Sequence, residues 1–259
     1  MKNAINIIVL STCLLFSMTA HAGYDEGKAA YDNKDYATAM KECLPLAKQG
    51  DARSQNVIGV LYSNAEGVIQ DNTEALKWFR LAAVQGYAKA QSNLGNMYAE
   101  GLGVPQDYKE AVKWYRLAAD QGYAAAQHQL GRMFDSGQVV QQDHREAVKW
   151  YRLAADQGYV HAQYNLGISY AIGEGVPQNY AQAALWYRKA AEQGHADAQN
   201  NLGVLYMNGQ GVPQNRSLAI AWYRQAAAQG NTTAQSNLNA IATDTVLDVL
   251  DAVFGDDDD

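Results

Sequence analysis

Tryptophan stands at Trp78, Trp114, Trp150, Trp186 and Trp222, each thirty-six residues after the last. The Gln-Gly dipeptide keeps the same step, with its glycine at Gly50, Gly86, Gly122, Gly158, Gly194 and Gly230. So does an Ala-Gln pair at Gln91, Gln127, Gln163, Gln199 and Gln235, with Ser54-Gln55 as its degenerate first copy. One stretch, EAVKWYRLAADQGY, is written twice without change, at 110–123 and at 146–159. A period of this length marks a repeat array, in which each unit buries its apolar face only by stacking on its neighbours. Chain length alone would allow one or two compact domains; the repeat replaces that count.

Each unit reads as two helices. In helix B, Ala111, Trp114, Ala118 and Ala119 recur at helical spacing and predict an apolar stripe. Asp107 followed by Glu110 marks its start, as do Asp71/Glu74 and Asp143/Glu146, with Asn179/Gln182 a weaker version. A side-chain oxygen that accepts orphan amide hydrogens, with an acid or amide three residues on, is a capping-box pattern. The Gln-Gly glycine, free to turn left-handed, ends the helix. Helix A carries Ala90, Leu94 and Tyr98 on one face, with Ala126, Leu130, Phe134 and Ala162, Leu166, Tyr170 as its copies. Gly95, Gly131, Gly167 and Gly203 sit beside that leucine, and a mid-helix glycine costs about 1 kcal/mol relative to alanine. Close approach of another helix backbone is the expected offset. Between the helices lies G-x-G-V-P-Q-D/N, at 101–107, 173–179 and 209–215; the third unit, with SGQVVQ at 136–141, lacks the second glycine and the proline and is expected to differ there.

The motifs A-Q-x-x-L-G-x-x-Y, G-x-G-V-P-Q-D and A-x-x-W-Y-R-x-A-A-x-Q-G give the chain its resemblance to the Sel-1-like repeat family, relatives of the tetratricopeptide repeat, from about Asp51 to Ala240. The resemblance implies an all-α fold, an α/α superhelix (solenoid) of stacked antiparallel helix pairs. The array is placed at 51–242, preceded at 23–50 by an atypical helix pair with Glu42 where tryptophan would fall. A capping helix is expected at 243–254 through Val246, Leu247, Leu250 and Val253, and an acidic tail follows at 255–259. Solenoids need such ends because a terminal repeat otherwise exposes its stacking face.

The first 22 residues stand apart from the fold. Met1-Lys2 is a basic start, an apolar run follows from Ala4 to Met18, and Ala20-His21-Ala22 has the form of a signal-peptidase site. Cleavage near Ala22/Gly23 would deliver the chain to the periplasm or the exterior. Thr12 before Cys13 and the apolar residues after it argue against a lipid-attachment box. Cys43 is then the only cysteine of the mature chain, so no internal disulfide is available and a buried apolar role is expected for it. No other stretch approaches the roughly 18 apolar residues of a membrane span. The net charge of −7 disfavours a nucleic-acid partner, which calls for a basic footprint.

Catalytic signals are missing from the sequence. It has no serine followed by lysine three residues on, no G-x-S-x-G and no H-E-x-x-H. No catalytic residue, cofactor or metal is therefore assigned. His128 and His161 fall on one face of successive helices A; a metal shared with Asp135 would lack a third ligand at defined spacing, so contact with a peptide is the simpler role. Arg80, Arg116, Arg152, Arg188 and Arg224 recur one per unit, and helix-surface pairs such as Lys113 with Glu110 and Arg116 with Asp120 account for them better than a basic ladder.

Residues that recur build the scaffold; those that change between units are free to carry specificity. With Leu94 facing the core, the opposite side of helix A holds Arg53 and Asn56, then Lys89, Ser92 and Asn96, then His128, Arg132 and Asp135. It continues with His161, Tyr164 and Ile168, then Asn200, Val204 and Met207. In helix-pair solenoids this side of helix A lines the concave surface, and the mixture suits a protein or peptide; drift at solvent-exposed sites is the alternative. The expected function is a non-catalytic periplasmic scaffold or adaptor that binds another protein or peptide. The resemblance also admits an immunity protein that neutralises a secreted envelope-targeting toxin such as a lipase, and, more remotely, a β-lactam-binding protein or other envelope hydrolase.

Overall fold

The computed structural model describes residues 23–137 and 141–254. Among them every regular element is a helix: α1 at 23–32, α2 Tyr36–Lys48, α3 Ala52–Asn64, α4 Asn72–Val84, α5 Ala88–Glu100, α6 Tyr108–Asp120 and α7 Ala124–Ser136. There follow α8 His144–Asp156, α9 Val160–Ile172, α10 Tyr180–Glu192, α11 Ala196–Asn208, α12 Arg216–Ala228 and α13 Thr232–Phe254. Odd-numbered helices from α3 onward are helix A and even-numbered ones helix B. The expected signal peptide, the divergent loop at 138–140 and the acidic tail lie outside the described residues, as do the side chains of the expected C-terminal apolar face. The backbone of 243–254 continues α13 without a break.

Ends of helices are set as the capping pattern predicts. Asp71, Asp107 and Asp143 accept the backbone N–H of Glu74, Glu110 and Glu146 at 2.9, 3.0 and 3.0 Å, and Asn179 accepts that of Gln182 at 3.0 Å. Helix A closes on a left-handed residue, Gly101, Gly173 or Gly209, and the Gln-Gly glycine after helix B is left-handed too, with φ of 87° at Gly122.

The chain divides into two compact units, one reaching to Ala126 and one from Gln127. Within each, consecutive helices pack as antiparallel pairs, and each helix B also packs on the next helix A. In the first unit Gly59 of α3 lies against the Phe79 ring of α4, and Gly95 of α5 lies against the Tyr115 ring of α6. In the second unit Gly131, Gly167 and Gly203 lie against Tyr151, Tyr187 and Tyr223. The glycine thus makes room for an aromatic ring, where a neighbouring backbone was expected. The helix B stripe is widened by a second aromatic: Ala111, Tyr115 and Ala118 are fully buried and Trp114 is part-exposed, while Trp150 and Trp186 are buried alongside Tyr151 and Tyr187. Tyr115 is four residues after Ala111, on the face aimed at Gly95. The tryptophan instead packs toward the preceding two helices, Trp78 on the cluster of Ala39, Cys43 and Leu61, and Trp114 on that of Ala75, Phe79 and Leu94. Cys43 is fully buried, and burial raises its thiol pKa to about 11.

A buried glutamine joins successive pairs. In the first unit Gln91 Nε2 donates to the Ala83 carbonyl at 3.1 Å, and Gln91 Oε1 accepts from Gln121 Nε2 at 2.7 Å. Gln55 does the same with Ala47 and Gln85. In the second unit Gln163 bridges Ala155 and Gln193, and Gln199 bridges Ala191 and Gln229. These are the Ala-Gln and Gln-Gly residues of the repeat. The Ala-Gln residue is polar at a buried site and satisfied there by an exposed glutamine of the Gln-Gly pair.

A methyl group at Gly167 would sit 2.5 Å from the Tyr187 ring. Alanine gains about 1 kcal/mol in helix propensity, but overpacking a buried contact costs typically 1–3 kcal/mol. Gly167→Ala is therefore expected to lower the unfolding midpoint in urea. An unchanged or raised midpoint would refute this packing account.

Candidate functional site

Four of the face residues of helix A are not free. Asn56, Ser92, His128 and Asn200 are all buried. Three of these side chains meet the next helix A: Asn93 donates to Asn56 at 3.0 Å, Asn165 Nδ2 lies 3.1 Å from His128 Nε2, and Asn237 donates to Asn200 at 3.0 Å. A helix in a stacked array has neighbours on two sides, so a phase argument with one core direction misplaces these residues on the surface.

The remaining face residues differ between the units. In the first, the Arg53 guanidinium lies 4.1 Å over the Tyr24 ring, and Lys89 and Asn96 line a cleft of about 490 Å³ with Tyr31, Asn64 and Glu100. Tyr24 is pushed up to about 12, by burial first and by Tyr87 second. In the second unit Arg132 donates to Gln129, while Ile168, Val204 and Met207 pack part-buried at the edge of the core. Asp135 turns away from the His128–His161 pair; its carboxylate meets His144 at 2.8 Å and accepts from the Tyr151 hydroxyl at 3.3 Å.

Across three successive helix A positions of the second unit the rings form a continuous row. His128 stands 5.3 Å from Tyr159 and 6.0 Å from His161 between ring centroids; Tyr159 and His161 are 5.8 Å apart. His161 meets His195 edge-on at 5.4 Å, and His195 stacks on Tyr164 at 4.4 Å with 23° between planes. Behind the row, His128 and Tyr164 reach Tyr151 and Tyr187 at 5.9 and 6.0 Å. His161 is exposed and Tyr164, Tyr159 and His195 are half-buried, so the row offers ring faces to solvent over a packed base. Burial, then the Arg132 guanidinium and His161, bring the His128 pKa down to about 4; burial and then His161 also lower that of His195. Both are neutral rings at pH 7, so buried His128 carries no charge into the core and part-exposed His195 presents amphipathic surface.

Tyr159 and His195 were not singled out from the sequence, though a signal existed. Both follow the Gln-Gly glycine, at the N-cap of helix A. There Asp51 and Asn231 cap the Ser54 and Ala234 N–H at 2.7 and 2.8 Å, and His195 caps that of Ala198 weakly at 3.3 Å. Tyr87 and Tyr159 make no side-chain cap. Tyrosine recurs there at Tyr87, Tyr123 and Tyr159 and so belongs to the scaffold pattern; His195 is the departure from it that extends the row.

On helix B, Lys77, Lys113 and Lys149 pair with Glu74, Glu110 and Glu146 at 2.6–2.8 Å, as expected for a solvated scaffold face. Arg80, Arg152 and Arg188 donate to the hydroxyls of Tyr98, Tyr170 and Tyr206, so these members of the arginine ladder brace the pair. Leu81 and Leu153 are about half exposed beside shallow apolar clefts, one in each unit.

Five consecutive segments, 52–87, 88–123, 124–159, 160–195 and 196–231, match the Sel1 repeat. The chain belongs to the Sel1 repeat family. Its fold is the all-α helical-repeat solenoid, and Sel1 repeats generally mediate protein interactions. The structure is similar to that of c5321, a protective antigen of uropathogenic Escherichia coli strains with an SLR fold, at TM-score 0.74 and 37% identity. That likeness covers 83% of this chain and 47% of the other. A Sel1 repeat protein from Oxalobacter formigenes gives TM-score 0.73 and 37% identity over 79% of this chain and 59% of its own. This chain therefore spans about half to three-fifths of those proteins. The immunity protein PA5088 from Pseudomonas aeruginosa shares the fold at TM-score 0.54 and 23% identity, over 81% of this chain and 82% of its own. A search of curated proteins finds no match.

The buried His128 gives the second unit a pH dependence. Its folded pKa, about 4, lies below the ordinary 6.5, so the unfolded chain takes up the proton first. The stability it confers is complete above about pH 6.5 and is lost as pH falls toward 4, by on the order of 3 kcal/mol in full. His128→Asn, which places there the residue found at Asn56 and Asn200, is expected to remove most of the drop in urea midpoint between pH 7 and 4.5. An equal drop in wild type and variant would show that His128 is not its source.

Proposed function

We propose that this protein is a non-catalytic interaction scaffold of the bacterial envelope, exported by its N-terminal leader, that holds an extended segment of another protein along the ring row of the second unit. One observation carries the proposal: Tyr159, His161, Tyr164 and His195 form one half-exposed row of rings across successive repeats. Rigid rings lose little conformational entropy on binding and bury large amphipathic area, which is why such residues anchor interfaces. The leader at 1–22 supports the periplasmic or secreted location, and the family supports the binding role. The likeness to the immunity protein is one of fold, so toxin neutralisation stays outside this proposal.

Tyr164 and His161 are the residues to change, because His128 and Asn200 are structural. Tyr164→Ala with His161→Ala is expected to weaken capture of the partner from envelope extract by roughly ten-fold or more, with the helical circular dichroism at the working temperature unchanged. Undiminished capture by this variant would place the binding surface elsewhere, with the leucine clefts of helix B as the next candidates.

A further inference from the structure

Asp135, at the end of α7, His144, which opens α8, and Glu174, in the turn after α9, come together in the second unit. His144 Nδ1 is 2.8 Å from Asp135 Oδ1 and 3.8 Å from Glu174 Oε2, and the three donor atoms all lie within 4.8 Å of one another. We propose that these residues form a binding site for a divalent transition-metal ion, with zinc as the best match. Ligands each about 2.1 Å from one zinc ion stand roughly 3–3.5 Å apart, and the observed separations bracket that range. One imidazole with two carboxylates is a donor set for a borderline divalent cation; three protein ligands leave a fourth position for water or a partner side chain.

Two features set this group apart from a chance surface ion pair. The first is register. At the position of Asp135 the flanking repeats carry Ala99 and Ala171, and at that of His144 they carry Tyr108 and Tyr180. In those repeats the Gln106 and Gln178 amides donate to the Tyr108 and Tyr180 hydroxyls. The third repeat replaces both members of the facing pair at once, by a carboxylate and an imidazole that touch. Scaffold drift would not be expected to change two facing positions together into metal ligands.

The second is support around the ligands. The other oxygen of Asp135 accepts from the hydroxyl of fully buried Tyr151 at 3.3 Å, which restrains the carboxylate. Hydrogen bonds of this kind orient metal ligands and tune their affinity. The scaffold's own turn packing, Gly175 on the His144 carbonyl as Gly103 lies on Asn72 and Gly211 on Tyr180, is what brings Glu174 over His144. An ion here would tie the end of one repeat to the turn of the next, beside the ring row but on residues separate from it.

The test is a Co²⁺ titration of the mature, tag-free chain, followed by visible d–d absorption, with displacement by Zn²⁺. One equivalent is expected to bind. Asp135→Ala and His144→Tyr, which copy neighbouring repeats and so keep the fold, are each expected to abolish the spectrum while circular dichroism stays unchanged. Tyr151→Phe, which copies Phe79 of the first repeat, is expected to weaken binding by about ten-fold. Removal of residues 255–259 is expected to leave the spectrum as it is. The proposal is overturned if no spectrum develops, if it survives Asp135→Ala, or if it disappears with the tail.

Discussion

Much of this structure depends on one buried side-chain amide. Helices of thirteen residues are marginal alone in water, so each must be held by its neighbours. Gln91 does this in both directions: its nitrogen reaches a carbonyl in the last turn of α4, and its oxygen takes a hydrogen from Gln121 just past the end of α6. Carbonyls of a last helical turn lack intrahelical partners, and a buried amide left unpaired would cost about 1–3 kcal/mol. Both needs are met by the same contact, which runs eight residues back and thirty forward. Register between successive pairs follows from it. The ring seated on the helix A glycine then sets how closely the two helices of a pair approach.

Most of the scaffold was legible because its parts are local. Asp107 with Glu110 announces a helix start from four residues of sequence, and Gly122 its end. Contacts between elements were read less well. Gly95 signals that something comes close, but the sequence does not say whether that is backbone or the ring of Tyr115, twenty residues on. Trp114 and Tyr115 both stand at helical spacing from Ala111 and Ala118, so the spacing alone does not say which ring meets the glycine.

The candidate site was half legible, for a definable reason. Hydrophobic phase treats a helix as having one buried side, and it puts His161 and Tyr164 on the open side correctly. It fails for Asn56, His128 and Asn200, which are polar yet buried because their partners are other polar groups one repeat away. Tyr159 and His195 lie outside the helical phase altogether, at cap positions. Asp135, His144 and Glu174 are nine and thirty residues apart, a spacing that matches no linear motif; only the turns between helices bring them together. Features specific to this chain thus gather where the repeat is broken, in the third and fourth units.

The glutamine link has a consequence for how such a chain changes over time. Its reach is to the adjacent pair alone, and the identical segments at 110–123 and 146–159 supply matching junctions. A gain or loss of thirty-six residues between them recreates the same contacts on either side, so the number of repeats can vary without a new fold being invented. The ring row and the Asp135 group obey the opposite rule. Each needs particular neighbours in a particular order, so a unit gained or lost there would dismantle them even where the glutamine contacts are re-formed.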